Sequence, residues 1–184
     1  MKNVDFQELK VSPVISGISI LSARDAYNFL LSVWDEDICL QESVFVLFLT
    51  NEKQLIDFKQ LFKGGRAVCN IDNSVILRNA ILLQADSIIL AHNHPSGSIK
   101  PSPGDDNTTF MLNFSAYTIG VTLIDHLIIS PVDFYSYADK KGIEKYPAVV
   151  TKAEYESLRG KYNNAILKYY RATEDINRLL KEKL

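Results

Sequence analysis

The residues of this chain best suited to chemistry are His92 and His94, two apart in the string HNHPSGSIKPSPGD over residues 92–105. Side chains two apart on an extended chain project to the same side, so both imidazoles can address one atom without backbone strain. Zinc favours imidazole nitrogen, and a catalytic zinc takes three protein ligands and keeps one position for water. Asp105 is the natural third ligand, because the Gly- and Pro-containing loop can fold back and present the start of the next helix. Two neutral imidazoles and one carboxylate leave a net charge of about +1 on a bound Zn2+, which draws the pKa of a bound water toward about 7. The same residues have a structural reading. Ser102 can be an N-cap, Pro103 the first helical residue and Asp105 the acid that completes a capping box. The two readings are compatible, and spacing alone leaves the metal open.

The elements that must hold these residues follow from periodicity. DSIILA at 86–91 reads as a short buried strand running straight into His92. A loop rich in Ser, Gly and Pro follows over 95–104, then a helix over about 105–119 that stops at Gly120. ESVFVLFLT at 42–50 is near-continuously apolar and reads as a strand buried on both faces. After a turn at TNEK, QLIDFKQLFKG pairs with it as a hairpin, and Gly64-Gly65 breaks the pattern. Val75, Leu77, Ala80, Ile81 and Leu83 suggest a helix over 72–84. TLIDHLIIS at 122–130 and FYSYA at 134–138 are expected to be strands. Ser22 with Asp25 opens an amphipathic helix to about Trp34, which belongs to the core, and DED at 35–37 reads as a solvated turn. VSPVISGISI at 11–20 can hold an edge strand, since Pro13 and Gly17 fit poorly in a central one. The fold class is mixed α/β, a central sheet with helices on its faces.

Composition narrows the setting. A chain of 184 residues, 47% hydrophobic and 23% charged, can bury a real core and needs no special environment. The net charge of −2 gives no basic bulk that would argue for nucleic acid. Cys39 and Cys69 form no C-x-x-C pair and are expected to be small buried hydrophobes in a reducing compartment. No secretory leader and no apolar run long enough to span a membrane is seen, so a cytoplasmic location is expected.

The pattern H-x-H, seven residues, Ser, two residues, Asp resembles the metal motif of the JAMM (JAB/MPN-plus) metallohydrolases, carried here by His92, His94, Ser102 and Asp105. The fuller string HNHPSG…PS..D, preceded by IILA and followed by DHLII, resembles the bacterial RadC family over about residues 20–138. Residues 42–50 resemble that family's segment bearing a motif glutamate. The resemblance implies a JAB/MPN-like, cytidine-deaminase-like fold, with zinc on His92, His94 and Asp105. It implies that Glu42 takes a proton from the water nucleophile and passes it to a leaving amine. It implies that Ser102 donates a hydrogen bond to the oxyanion of a tetrahedral intermediate. Without the motif, Glu42 would be an exposed residue at a strand start. The letters H-N-H do not make an HNH nuclease, whose motif is spread over a hairpin and helix, and Asn93 faces away from its neighbours on a strand. His126 is expected to be a hydrogen-bonded core histidine, with support of a metal ligand as the sharper alternative. Gly64, Gly65 and Arg66 form no phosphate loop, because no Lys-Ser/Thr follows.

Residues 1–140 are expected to form the JAB/MPN-like domain, and 141–184 a linker and a long C-terminal helix. Thr151 and Glu154 form a capping box at that helix, and Tyr155, Leu158, Tyr162, Ala165, Tyr169, Ala172, Ile176 and Leu179 follow 3–4 spacing. The helix either packs on its own domain or makes a homodimer seam, with Gly160 weakening it. Residues 151–184 carry 8 Lys/Arg against 5 Asp/Glu, whereas residues 1–150 carry 12 against 17. The length is expected to leave no room for the N-terminal helix-hairpin-helix domain that longer RadC proteins carry. The reading is therefore a zinc hydrolase acting on a peptide or isopeptide-like amide of a peptide or protein substrate. The other readings are a DNA-repair or DNA-processing accessory protein, against which the acidic core argues, and a non-catalytic MPN-type binding module, against which the complete motif argues.

Overall fold

The computed structural model describes residue 15 and residues 17–34, 36–64 and 71–143. Backbone packing divides the chain into Met1–Tyr146 and Pro147–Leu184, and every described residue lies in the first unit. The C-terminal helix expected over 151–184 lies outside the described residues, as does Cys69.

A five-stranded sheet in the order β2-β1-β3-β4-β5 forms the centre. Strand β1 (Ser43–Leu49) is buried at every residue, as its unbroken apolar run requires of a strand covered on both faces. It pairs antiparallel with β2 (Leu55–Lys63) on one side and with β3 (Ser87–Asn93) on the other. The turn between β1 and β2 contains no glycine, so Lys53 itself takes the left-handed conformation at φ 65°. Strand β4 (Thr122–Ile129) runs parallel to β3, which demands a crossover, and helix α3 (Pro103–Thr118) supplies it. Gly120, at φ 78°, turns the chain out of α3 toward β4.

Two apolar layers flank the sheet. On one face Val44, Val46 and Phe48 of β1 and Ile88 and Leu90 of β3 pack with Leu112 and Ala116 of α3 and Ile76 and Ala80 of α2 (Asn73–Leu82). On the other, Phe45, Leu47 and Leu49 meet Ala26, Tyr27 and Leu30 of α1 (Ala23–Val33). Ser22 caps α1 as its sequence indicates, accepting from the Asp25 N–H at 3.1 Å. Trp34 packs on this second layer, its ring 4.3 Å from that of Phe45.

Four local expectations are corrected. The segment ending at Ile20 is not a strand in its described part. It makes a single bridge, Ser19 to Gln54, with backbone bonds from residues 15–20 to 53–55. The buried stripe of α2 runs Ile76, Ala80 and Leu83, which rotates Ile81 to the opposite side, where it is exposed. Glu36–Cys39 is one turn of 3-10 helix, and Cys39 is exposed on it rather than buried. Strand β5 covers only Phe134–Ser136, because Ser136 caps a short helix α4 (Tyr137–Lys140). The Asp125 carboxylate draws the chain into that turn by accepting from Ser136 Oγ at 2.6 Å and from the Ala138 N–H at 3.0 Å. Among the described residues no helix is long and apolar enough to cross a membrane.

Candidate metal centre

Strand β3 delivers His92 at its C-terminal end with a side chain facing the α2/α3 layer. His94 follows as the strand gives way to a turn, in which the Gly97 N–H bonds the His94 carbonyl at 2.8 Å. Gly97 sits at φ 75°, a conformation that glycine adopts without strain, and this returns the Ser98 carbonyl to within 2.8 Å of His94 Nδ1. Ser102, Pro103 and Asp105 then open α3 with a complete capping box. The Asp105 N–H donates to Ser102 Oγ at 3.2 Å, and the Ser102 N–H donates to Asp105 Oδ2 at 2.7 Å. The structural and metal readings of Asp105 therefore coexist. The cap fixes the carboxylate, and Oδ1 lies 3.1 Å from His92 Nε2.

His92 Nε2 and His94 Nε2 lie 3.0 Å apart, and Asp105 Oδ2 is 3.6 Å from His94 Nε2. A tetrahedral zinc with bonds of about 2.0–2.1 Å holds its ligands about 3.3 Å apart. The three side chains thus stand at the spacing of three corners of such a coordination shell, and together they form a group able to hold a metal ion.

Donor accounting shows which nitrogens face that point. Thr109 Oγ1 donates to the Asp105 carbonyl at 2.7 Å, because a carbonyl can only accept. The same oxygen therefore accepts from His126 Nδ1–H at 2.6 Å. His126 Nε2 is then an acceptor, and His92 Nδ1–H donates to it at 2.8 Å. His94 Nδ1–H is committed to the Ser98 carbonyl. Both imidazoles consequently turn Nε2, the nitrogen left for a cation or a proton, toward each other and toward a carboxylate. Such a convergence needs a cation or protons between its members. The chain Asp105 carbonyl, Thr109, His126, His92 closes a ring that begins and ends on members of this candidate metal group. His126, fully buried and stacked 4.9 Å from Tyr137, is held well below its ordinary pKa by burial and by the neighbouring His92. It stays neutral, as the ring requires.

His126 is the hydrogen-bonded core histidine expected, and one of its two bonds goes to His92. Thr109 was missed altogether. A histidine inside the apolar run TLIDHLII was a signal, because a buried imidazole requires partners. Removing this support is expected to weaken zinc tenfold to a hundredfold. Thr109→Val and His126→Phe should each show that loss in a chelator competition, with Thr109→Val folding normally.

Burial acts to raise Asp105, but hydrogen bonds from His92 and His94 outweigh it and hold the carboxyl far below its usual range. His94 is raised above 6.5, chiefly by its hydrogen bond to Asp105, with Glu42 adding to the effect. A raised histidine stabilises the metal-free fold fully below 6.5, and that stabilisation is lost as pH rises through its folded value. The depressed Asp105 stabilises above 3.8 and ceases to as pH falls through its folded value. A metal ion bound at His94 Nε2 would have to displace its proton. The rise in Tm on adding zinc is therefore expected to grow from about pH 5 to about pH 8, measured by thermal melts with and without metal.

Glu42 lies just before β1, where Val44 pairs with His92. Continuing that register sets residue 42 opposite His94, on the face shared by Val44 and Val46. Ser102 is exposed at the N-cap, and among the described residues its hydroxyl accepts a bond but donates none.

A mixed sheet between helices, with two imidazoles and a carboxylate converging at the C-terminal end of its central strand, defines an α/β domain with a group able to hold a metal ion. The RadC-like JAB domain family matches residues 20–143, and the chain belongs to that family. It is 34% identical over 121 residues to a UPF0758 protein of Flavobacterium johnsoniae, covering 66% of this chain and 52% of that protein. A UPF0758 protein of Streptococcus sanguinis is 36% identical over 100 residues, which is 54% of this chain and 44% of the relative. One from Streptococcus suis is 37% identical over 103 residues, 56% of this chain and 42% of the relative. The chain thus spans about half the length of the relatives it matches.

Proposed function

We propose that this domain is a zinc-dependent hydrolase that cleaves a peptide or isopeptide-like amide. The observation that carries the reading is the convergence of His92, His94 and Asp105 at coordination spacing, with both Nε2 atoms turned inward. Two nitrogens and one carboxylate oxygen form a donor set that suits zinc. When bound, zinc supplies Lewis acidity, which brings the pKa of a coordinated water to about 7 and polarises a substrate carbonyl.

The chain's own residues do the rest. Glu42, whose charge acts on His94, accepts the proton of the attacking water and returns it to the leaving nitrogen. Ser102 donates its hydroxyl hydrogen to the developing oxyanion, from an oxygen held in place by the Asp105 N–H. Thr109 and His126 hold His92 in the tautomer and orientation that keep Nε2 available.

Metal analysis of the purified protein should return about one zinc per chain. Cleavage of a peptide library should vanish on chelation and return with added zinc. Tight, salt-dependent binding of duplex or single-stranded DNA with no cleavage of any peptide would instead favour a DNA-processing role and remove this proposal.

A further inference from the structure

Asn93 separates the two metal-ligating histidines, and the mechanism above does not use it. Strand alternation turns its side chain away from His92, and there it is completely buried. Its Oδ1 accepts from the Ser43 N–H at 2.7 Å. Its Nδ2 donates to the Ile38 carbonyl at 2.5 Å and to the Gln41 carbonyl at 2.9 Å. All three partners belong to the short stretch that carries Glu42, and two of them are its immediate neighbours.

That stretch is also tied to β2, where the Glu42 carbonyl accepts from the Gly64 N–H at 2.8 Å and Ser43 Oγ accepts from Gln60 Nε2 at 3.0 Å. Asn93 ties it instead to the strand of the histidines, and from both sides of Glu42. The stretch is one 3-10 turn, Glu36–Cys39, followed by the entry into β1. A carboxamide is the side chain of this length that offers two donors and an acceptor together. Aspartate would set a charge against two carbonyl oxygens, and a hydroxyl would reach at most one of them with a donor.

We propose that Asn93 is a positioning residue for Glu42. It fastens segment 38–43 to the strand that bears the histidines, so the carboxylate and the two imidazoles keep one geometry. Its effect on turnover rests on the hydrolase reading above, whereas the clamp itself does not.

The test compares Asn93→Ala, which removes all three bonds, with the milder Asn93→Thr, which keeps a strand-forming side chain. Zinc affinity of both, read by chelator competition, should stay within about threefold of wild type, because the ligands face the other side of the sheet. Amide hydrogen exchange across residues 38–43, at Ser43 above all, should quicken by about tenfold or more. On any peptide cleaved by the wild type, turnover should fall by about a hundredfold, as expected for a reacting group misplaced by about an ångström. The double variant of Asn93→Ala with Glu42→Gln should be no slower than Glu42→Gln alone.

Unchanged exchange across 38–43 in both variants overturns the clamp. Losses that add fully in the double variant, or zinc lost as completely as in His94→Ala, overturn the link to Glu42. If the wild type cleaves no peptide, the hydrolase reading fails, and the exchange measurement alone decides the clamp.

Discussion

Replacing Glu42 with glutamine is expected to lower peptide turnover by about 10²–10⁴-fold, the range of a lost general acid–base, while about one zinc per chain remains bound. Glutamine matches the size of glutamate but cannot take a proton, so the shape of the site is kept and the chemistry is removed. Glu42 lies just before β1, two residues from the Val44 that pairs with His92, and its charge adds to the raised pKa of His94. The measurement is kcat and KM on a cleaved peptide, with metal content determined on the same sample. A fall in kcat with KM little changed identifies an interaction made in the transition state. Turnover that survived Glu42→Gln would remove this residue from the mechanism.

The second large effect concerns the ligands, and the two histidines should respond differently. Four-ligand zinc sites bind with about 10–16 kcal/mol, so one ligand is worth on the order of 3 kcal/mol. His94→Ala should therefore weaken zinc by about a hundredfold or more while the fold stays intact, because this side chain stands at the surface end of the site and, among the described residues, its other nitrogen bonds the Ser98 carbonyl alone. His92→Ala should lose the metal and also stability without metal. His92 is 1% exposed and is the donor to His126 Nε2. Its removal leaves a void and an unsatisfied buried acceptor, costing about 1–3 kcal/mol for the latter alone. Chelator competition reads the first quantity and denaturant unfolding with metal absent reads the second. Equal stability loss in the two variants would contradict the hydrogen-bonded ring drawn from His92 through His126 to Thr109.

The contribution of the sheet pairing shows in one irregularity of β4. Leu123 and Ile128 both face the α2/α3 layer although they are an odd number of residues apart, which a regular strand cannot do. A register shift between Ile88 and Ile89 of β3 takes up the extra residue on β4. Without it, strict alternation from Leu123 would place His126 on the α1 face and point Asp125 toward His92. The bulge reverses that. His126 reaches His92, and Asp125 turns to anchor Ser136 and Ala138.

The residues that act locally were legible in the amino-acid sequence. The spacing of His92 and His94, the cap at Ser102 and Asp105, the apolar runs that become β1 and β3, and the glycine that ends α3 each depend on neighbours within a turn or a strand. Local sterics and hydrogen bonding decide such features. What the chain order could not disclose were Asn93 holding the Glu42 segment, Thr109 and His126 completing the support of His92, and the exposed side of α2. These depend on register between strands distant in sequence and on which helix face meets the sheet. Both are settled only when the two apolar layers pack at once, because burial energy is shared by the whole core and carries no address for any single pair.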